Sequence, residues 1–455
     1  MTAISFSEVF AAINASLAVI SFGLIQGFGG ISLASLDLDD DQVSWFASID
    51  SLMAIIFTPI GGKIAEVIGI KRTFLLCSPM ITLGWILVGT FASTFWLFVG
   101  RVLSGIGVSI MMASPSVYIA ETAHPDHRAT LISMVGFSYS LGICLLWFLG
   151  YFFAWQTVAY LSTVPPILNF IGFLLLPDTP FGLVQHHKFE EAFTALKYFR
   201  RNYEDEEVVD EFNEILEHYQ QKLKLSHYDK VKIMCSRAFI QPFLCVGILY
   251  PLYEFSGTMV TTNYLQSLMI ESKIELEPRT CSLILGLIRI CASVIILITI
   301  QKLQPLFSYV GLASIKTIAL LVIGAFFYLQ SHHPDIATWT WIPFAMICLI
   351  YIPHTFLISI HWILVGEMFP SELRNVASGF IESITFTFTF VVLKLYVTMK
   401  HSLGLPGVFF LYASFAALSS IYAALTIPDN RGKSLTEIEK NCQTPLISKK
   451  IKELM

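Results

Sequence analysis

The chain has 455 residues, of which 55% are hydrophobic, 14% aromatic and only 13% charged. That balance excludes a soluble globular protein and also a protein held by one or two anchors, because apolar runs recur along almost the whole length and must lie in lipid. The net charge of −5 is small and by itself says nothing about nucleic acid, which is not an expected partner of a chain that lies mostly in the membrane.

A helix needs roughly 20 apolar residues to cross about 30 Å of hydrocarbon. Apolar runs between polar breaks predict twelve such helices, centred near residues 20, 54, 83, 107, 141, 167, 247, 291, 318, 351, 388 and 416. The N-terminus is short, carries Glu8 in place of a basic region and runs into a full-length span, so no cleavable leader is expected and the first helix serves as its own insertion signal. Basic residues follow the even-numbered spans: Lys71 and Arg72 after two, Arg128 after four, many after six, Lys302 after eight, Arg374 after ten, Arg431 and Lys433 after twelve. The odd-numbered breaks are acidic or nearly uncharged, as in LDLDDD at Leu36 to Asp41, with Lys273, Arg279 and Lys400 as exceptions. This bias puts both termini in the cytosol. The sizeable soluble stretch is 178–236, where Phe189, Phe193 and Leu196, then Phe212, Leu216, Tyr219 and Leu223, repeat at helical spacing among charges. It is either a solvated linker or a brace of short amphipathic helices under the bundle. The eight cysteines have no CxxC spacing and sit mostly in apolar runs, as small packing residues rather than metal ligands or disulfides.

Two stretches share one grammar. VYIAETAHPDHRAT ends an apolar run in Glu121 and reaches Arg128; WILVGEMFPSELRNVASG ends one in Glu367 and reaches Arg374, offset by 246 in each case (367 − 121 and 374 − 128). PDTP at Pro177 likewise recurs as IPDN at Pro428. The expected fold is therefore an all-α membrane protein of two six-helix bundles, 1–177 and 237–428, joined by a cytosolic helical linker at 178–236 and followed by a cytosolic tail at 429–455. Parallel six-span repeats of this kind carry a solute site near the bilayer midplane.

Six stretches in order, GGKIAEVIGIKR at Gly61, GRVLSGIG at Gly100, VYIAE, PDTP, GEMFPSELR and IPDNRGKSLTEIE, resemble the signatures of the sugar-porter family of the major facilitator superfamily, in style its insect trehalose-transporter-like branch. The resemblance covers nearly the whole chain and implies transport of a small solute across a cell membrane. It implies that Glu66, Arg72, Glu121, Arg128, Glu367 and Arg374 form a cytosolic gate of salt bridges that break when that side opens; the alternative is that they mark topology on a static bundle. The gate is lopsided here, since the second half reads QKLQPL at Gln301 where the family has an acid and paired arginines, and PDTPF lacks the arginine after its second proline.

Neutral sugars are held by amides and hydroxyls with aromatic faces against the ring. Span seven reads YEFSGTM, so Tyr253 and Glu254 stand where the family has two glutamines, Ser256 and Gly257 remain, and Met259 replaces an asparagine. Span ten reads ISIHW, keeping Trp362 and gaining His361; Thr385 replaces an asparagine in span eleven, and Arg289 a glutamine in span eight. These nine residues are the expected substrate cavity. Glu254 and Arg289 are intramembrane ions at similar depth, and a pair between them is expected, the alternative being separate snorkelling or solvated charges; Lys316 and Lys394 are expected to snorkel. No nucleophile triad, nucleotide loop or metal cluster is visible, so the chain is expected to be no enzyme and to need no cofactor. Proton-coupled members of the resembled family carry an acid in span one and Val9 to Gly30 has none, so the resemblance implies facilitative uniport of a small sugar, hexose or disaccharide, with Glu254 left as a group that could titrate. The alternatives are a non-transporting receptor that keeps the bundle, or a carrier of a non-sugar solute.

Overall fold

A computed structural model describes residues 5–91, 93–223, 232–299, 304–332, 339–369 and 374–427. The described residues form helices and short turns. Among the described residues ten helices are long and apolar enough to cross a membrane: Phe6–Gly27, Asp40–Ile68, Ile70–Thr90, Thr94–Thr122, Thr130–Phe152, Trp155–Leu175, Pro278–Thr299, Pro305–His332, Ile342–Val365 and Ala377–Thr426. The last holds two spans, parted at Gly404, whose φ of 66° and ψ of 169° leave helical space just before Pro406. Span seven is broken into Arg237–Glu254, Thr258–Asn263 and Leu265–Glu271. With these two, the twelve expected spans are accounted for.

The chain forms two compact units that cut across the sequence repeat. The first comprises Met1–Ile25, Met53–Leu146 and Phe153–Asp229; the second Gln26–Leu52, Trp147–Phe152 and Lys230–Met455.

In the first unit the family-like motifs come together. Gly100 of GRVLSGIG lets spans three and four touch backbone to backbone, since a Cβ there would lie 2.6 Å from the Gly84 carbonyl oxygen. Gly69, at φ +93°, turns the chain between spans two and three. Lys71 just beyond donates its amide to Asp178 Oδ1 at 3.3 Å and its ammonium to the Leu176 carbonyl at 2.6 Å. The Tyr118 hydroxyl donates to the Pro177 carbonyl at 3.0 Å. Thr179 then caps the next helix, its hydroxyl accepting from Gly182 N–H at 3.0 Å with Pro180 in the first turn. The Asn14-Ala-Ser sequence is deep in the unit: Asn169 Nδ2 donates to the Asn14 carbonyl at 2.7 Å, and Ser78 donates to Asn169 Oδ1 at 2.8 Å.

The linker is helical at Pro180–Gln185, Phe189–Phe199 and Asp205–Leu223. Its helices pack through apolar side chains, with Phe212, Leu216 and Tyr219 on Leu183, Val184, Ala192 and Ala195, while Phe189 of the expected face is exposed. A buried ion network ties it to the start of span one. Arg200 forks onto both oxygens of Glu211 at 2.7 and 2.8 Å, and its third nitrogen reaches Glu8 Oε1 and the Thr122 carbonyl, both at 2.8 Å. Glu8 also accepts from His124 N–H at 2.7 Å and Ser5 N–H at 3.1 Å. Arg200 and Glu8 are 1% and 0% exposed at the side chain.

In the second unit a set of ions joins the LDLDDD loop to span eleven and span eleven to span seven. Lys394 reaches Asp41 at 2.6 Å and Ser44 at 2.8 Å while lying 4.3 Å over the Trp45 ring. His401 Nε2 lies 2.7 Å from Asp40, and Lys400 pairs with Glu271 at 2.6 Å. Lys400, an exception to the charge bias, is thus neutralised locally, and Lys394 is held by an acid rather than snorkelling alone.

Removing one partner of a buried ion pair strands the other charge, at a cost of about 3–5 kcal/mol, whereas an exposed pair contributes about 0–1 kcal/mol. Arg200→Ala is therefore expected to lower the thermal unfolding midpoint of the detergent-solubilised protein far more than Lys63→Ala, which breaks the exposed Lys63–Glu66 pair.

Candidate functional site

The candidate site is built on the break in span seven. Pro251 cannot supply an amide hydrogen and Gly257 takes φ +77°, so the helix that begins at Arg237 stops at Glu254 and restarts at Thr258. A Cβ at Gly257 would come within 2.2 Å of the Tyr412 ring, so position, space and backbone all demand glycine. The end of the first segment is closed by amides of Phe255, Ser256 and Gly257 donating back to the carbonyls of Pro251, Tyr253 and Glu254. Thr261 and Thr262 hydroxyls donate to the Thr258 carbonyl at 2.8 and 3.0 Å, which keeps the following short helix satisfied away from water.

Around this break the structure gathers Tyr253, Glu254, Ser256, Gly257 and His361 of the expected cavity. The Tyr253 hydroxyl shares a hydrogen bond with His354 Nδ1, and its ring is stacked on that imidazole at 5.4 Å. His361 lies 4.1 Å from the Tyr250 ring and 4.9 Å from Tyr253; its Nδ1 pairs with the Leu357 carbonyl at 2.9 Å and its Nε2 faces the Tyr309 hydroxyl at 3.4 Å. Ser256 donates to the Tyr253 carbonyl and accepts from the Lys316 ammonium. That ammonium stands 4.8 Å over the Tyr253 ring. Met259 is buried in the short helix, its carbonyl accepting from Asn263 Nδ2 at 3.1 Å.

Arg289 lies 5.8 Å over the Tyr351 ring. Lys316, expected to snorkel, is 1% exposed and turned into the unit. Of the rest, Thr385 donates to its own helix at the Ile381 carbonyl at 2.9 Å and receives Thr389 there in turn. Trp362, one residue beyond buried His361, is 48% exposed on another face of span ten.

His354, Tyr351 and Thr262 were not foreseen. Tyr351 hydrogen-bonds Thr262 at 2.6 Å and its ring is 5.9 Å from that of His354, so hydroxyls and imidazoles run from Lys316 to the short helix. The available signal was IPHTF, a histidine after a proline in an apolar span.

The gate residues are more dispersed. Glu66 pairs with Lys63 at 2.9 Å, and Arg72 is exposed beside Lys71, which is the residue that turns inward. Glu121 is half-buried and Arg128 exposed. The side chains of Glu367 and Arg374 lie outside the described residues.

A discontinuous helix lined with buried hydroxyls, imidazoles and aromatic faces, in a chain of twelve spans, is the arrangement of a membrane carrier. Residues 9–441 match the family described as "Sugar (and other) transporter", and the chain belongs to that family. It is 25% identical over 448 residues to a facilitated trehalose transporter of Culex quinquefasciatus, covering 96% of this chain and 86% of that one. A facilitated trehalose transporter of Bombyx mori is also 25% identical over 448 residues, covering 95% and 86%. Among solved structures, the inward-open xylose transporter of E. coli is similar at a TM-score of 0.78 and 17% identity, over 95% of this chain and 99% of that one. Its partially occluded inward-open form is similar at 0.78 and 17%, over 94% and 100%.

A β-carbon at position 257 meets both a ring and a left-handed backbone. Gly257→Ala is expected to destabilise the protein by about 1–3 kcal/mol, read as a lowered thermal midpoint, against little change for Gly311→Ala, where the added carbon meets open space.

Proposed function

We propose that this chain moves a small neutral sugar, a hexose or a disaccharide such as trehalose, across the plasma membrane by alternating access, as a facilitative uniporter with both termini in the cytosol. The observation that carries this reading is the cluster at the break in span seven, where Tyr253, Ser256, His354 and His361 offer donors and acceptors beside aromatic faces. Arginine and lysine after the even-numbered spans support the orientation. Uniport is supported by span one: its single acid, Glu8, is at the cytosolic end and engaged by Arg200, leaving Val9 to Gly30 without an acid to couple to a proton gradient. Tyr253, Glu254, Ser256, Gly257 and His361 line the sugar path, and Glu121, Arg128, Glu367 and Arg374, with Glu66 and Arg72, latch the cytosolic side. A latch of several such pairs lets a bound solute bias the two access states by a few kcal/mol.

Proteoliposomes carrying the protein are expected to equilibrate a labelled sugar from a panel of hexoses, disaccharides and polyols. The rate should be the same with and without an uncoupler. Accumulation above the external concentration that collapses with an uncoupler would overturn uniport. Binding without flux for every sugar would overturn transport.

A further inference from the structure

Lys316 is a cation in the middle of an apolar helix, Pro305–His332, and such an ion is costly unless paired or wetted. It is 1% exposed, and its ammonium meets the interruption of span seven at the Ser256 hydroxyl and over the face of Tyr253. Ser256 hands the interaction on to the Tyr253 carbonyl. Carbonyls at the end of a helix carry partial negative charge, so a cation seated there holds the end in place.

Beyond the interruption, every residue from Thr258 to Asn263 is buried. The Thr262 carbonyl and the Asn263 side chain close on Gly30 and Gly29, where a Cβ would approach to 2.5 Å at each. Contacts this close tolerate little rotation, so the angle of the interruption determines whether the short helix stays seated on the two glycines.

We propose that Lys316 is a positioning residue for transport, which acts through Ser256 to fix the angle of the span-seven interruption and so hold Thr258–Asn263 against Gly29 and Gly30. Lys316 acts on the backbone rather than on the solute. The proposal rests on the transport reading above only for its kinetic consequence; the geometry can be tested without flux.

The test is amide hydrogen exchange of the reconstituted protein as wild type, Lys316→Met, Ser256→Ala and the double variant, with sugar uptake measured in parallel. K316M is expected to speed exchange about tenfold within residues 256–263 and to leave spans one to six unchanged. S256A should show part of that effect, and the double variant no more than K316M alone, because both remove one interaction. Uptake by K316M should lose Vmax about tenfold with KM within about threefold of wild type, the signature of an altered conformational step. Unchanged local exchange, a rise spread over the whole chain, or additive effects in the double variant would overturn the proposal. So would faster exchange with normal uptake. If K316M does not accumulate, S256A alone decides, unchanged exchange at 256–263 again being the negative result. Wild type that moves no sugar would refute the transport reading, while the exchange data would still decide the role of Lys316 at the interruption.

Discussion

A helix that stops inside an apolar layer must have its loose backbone groups satisfied by protein, and that constraint shapes the second unit. Lipid offers no hydrogen bonds, so an interrupted span is tolerated only where side chains and turns replace the lost ladder. At Glu254–Thr258 the replacements are the amides of Phe255, Ser256 and Gly257, the Ser256 hydroxyl and the Lys316 ammonium. Tyr253, His354, Tyr351 and Thr262 extend the polar line to the short helix. The groups that make the interruption stable, hydroxyls, an imidazole and aromatic faces, are also the kinds of group that hold a polyhydroxylated solute.

The first unit meets a different demand. Its spans are continuous enough to satisfy their own backbones, and its specificity lies in how the loops meet. Asp178 and the Leu176 carbonyl hold Lys71; Pro177 accepts Tyr118; Arg200 joins Glu8, Thr122 and Glu211. Stretches that are far apart in sequence are brought together because each carries a polar group that would otherwise be left bare at the edge of an apolar packing surface. Glu8 and Arg200 have low exposure and several hydrogen bonds each, which is the condition under which a buried pair is tolerated.

The charges show where sequence reasoning succeeds and where it stops. Lys71, Arg72 and Arg128 mark break ends correctly because the bias in loop charge depends on position along the chain alone. Lys316 was visible as an ion in an apolar run, yet its seat on Ser256 and Tyr253 was not, since that requires knowing which way the side chain points and what it reaches. The same holds for Glu8 with Arg200 and for Asp41 with Lys394, separated by 192 and 353 residues. His354 carried a faint signal in IPHTF, but an isolated histidine in a span is compatible with a packed core residue until Tyr253 is seen opposite it.

Composition, periodicity and the doubled Glu/Arg grammar were enough for an all-helical membrane protein of twelve spans and for helices within 178–236. Those features are local: each is written in the spacing of residues along one stretch of chain, and the bilayer translates length and polarity directly into spans. The partners of the buried ions, the seating of Thr258–Asn263 on Gly29 and Gly30, and the grouping of Gln26–Leu52 with the C-terminal spans came only from the folded chain. They depend on which helices are neighbours and how each is turned about its axis, and helix packing sets both through contacts that have no counterpart in linear order.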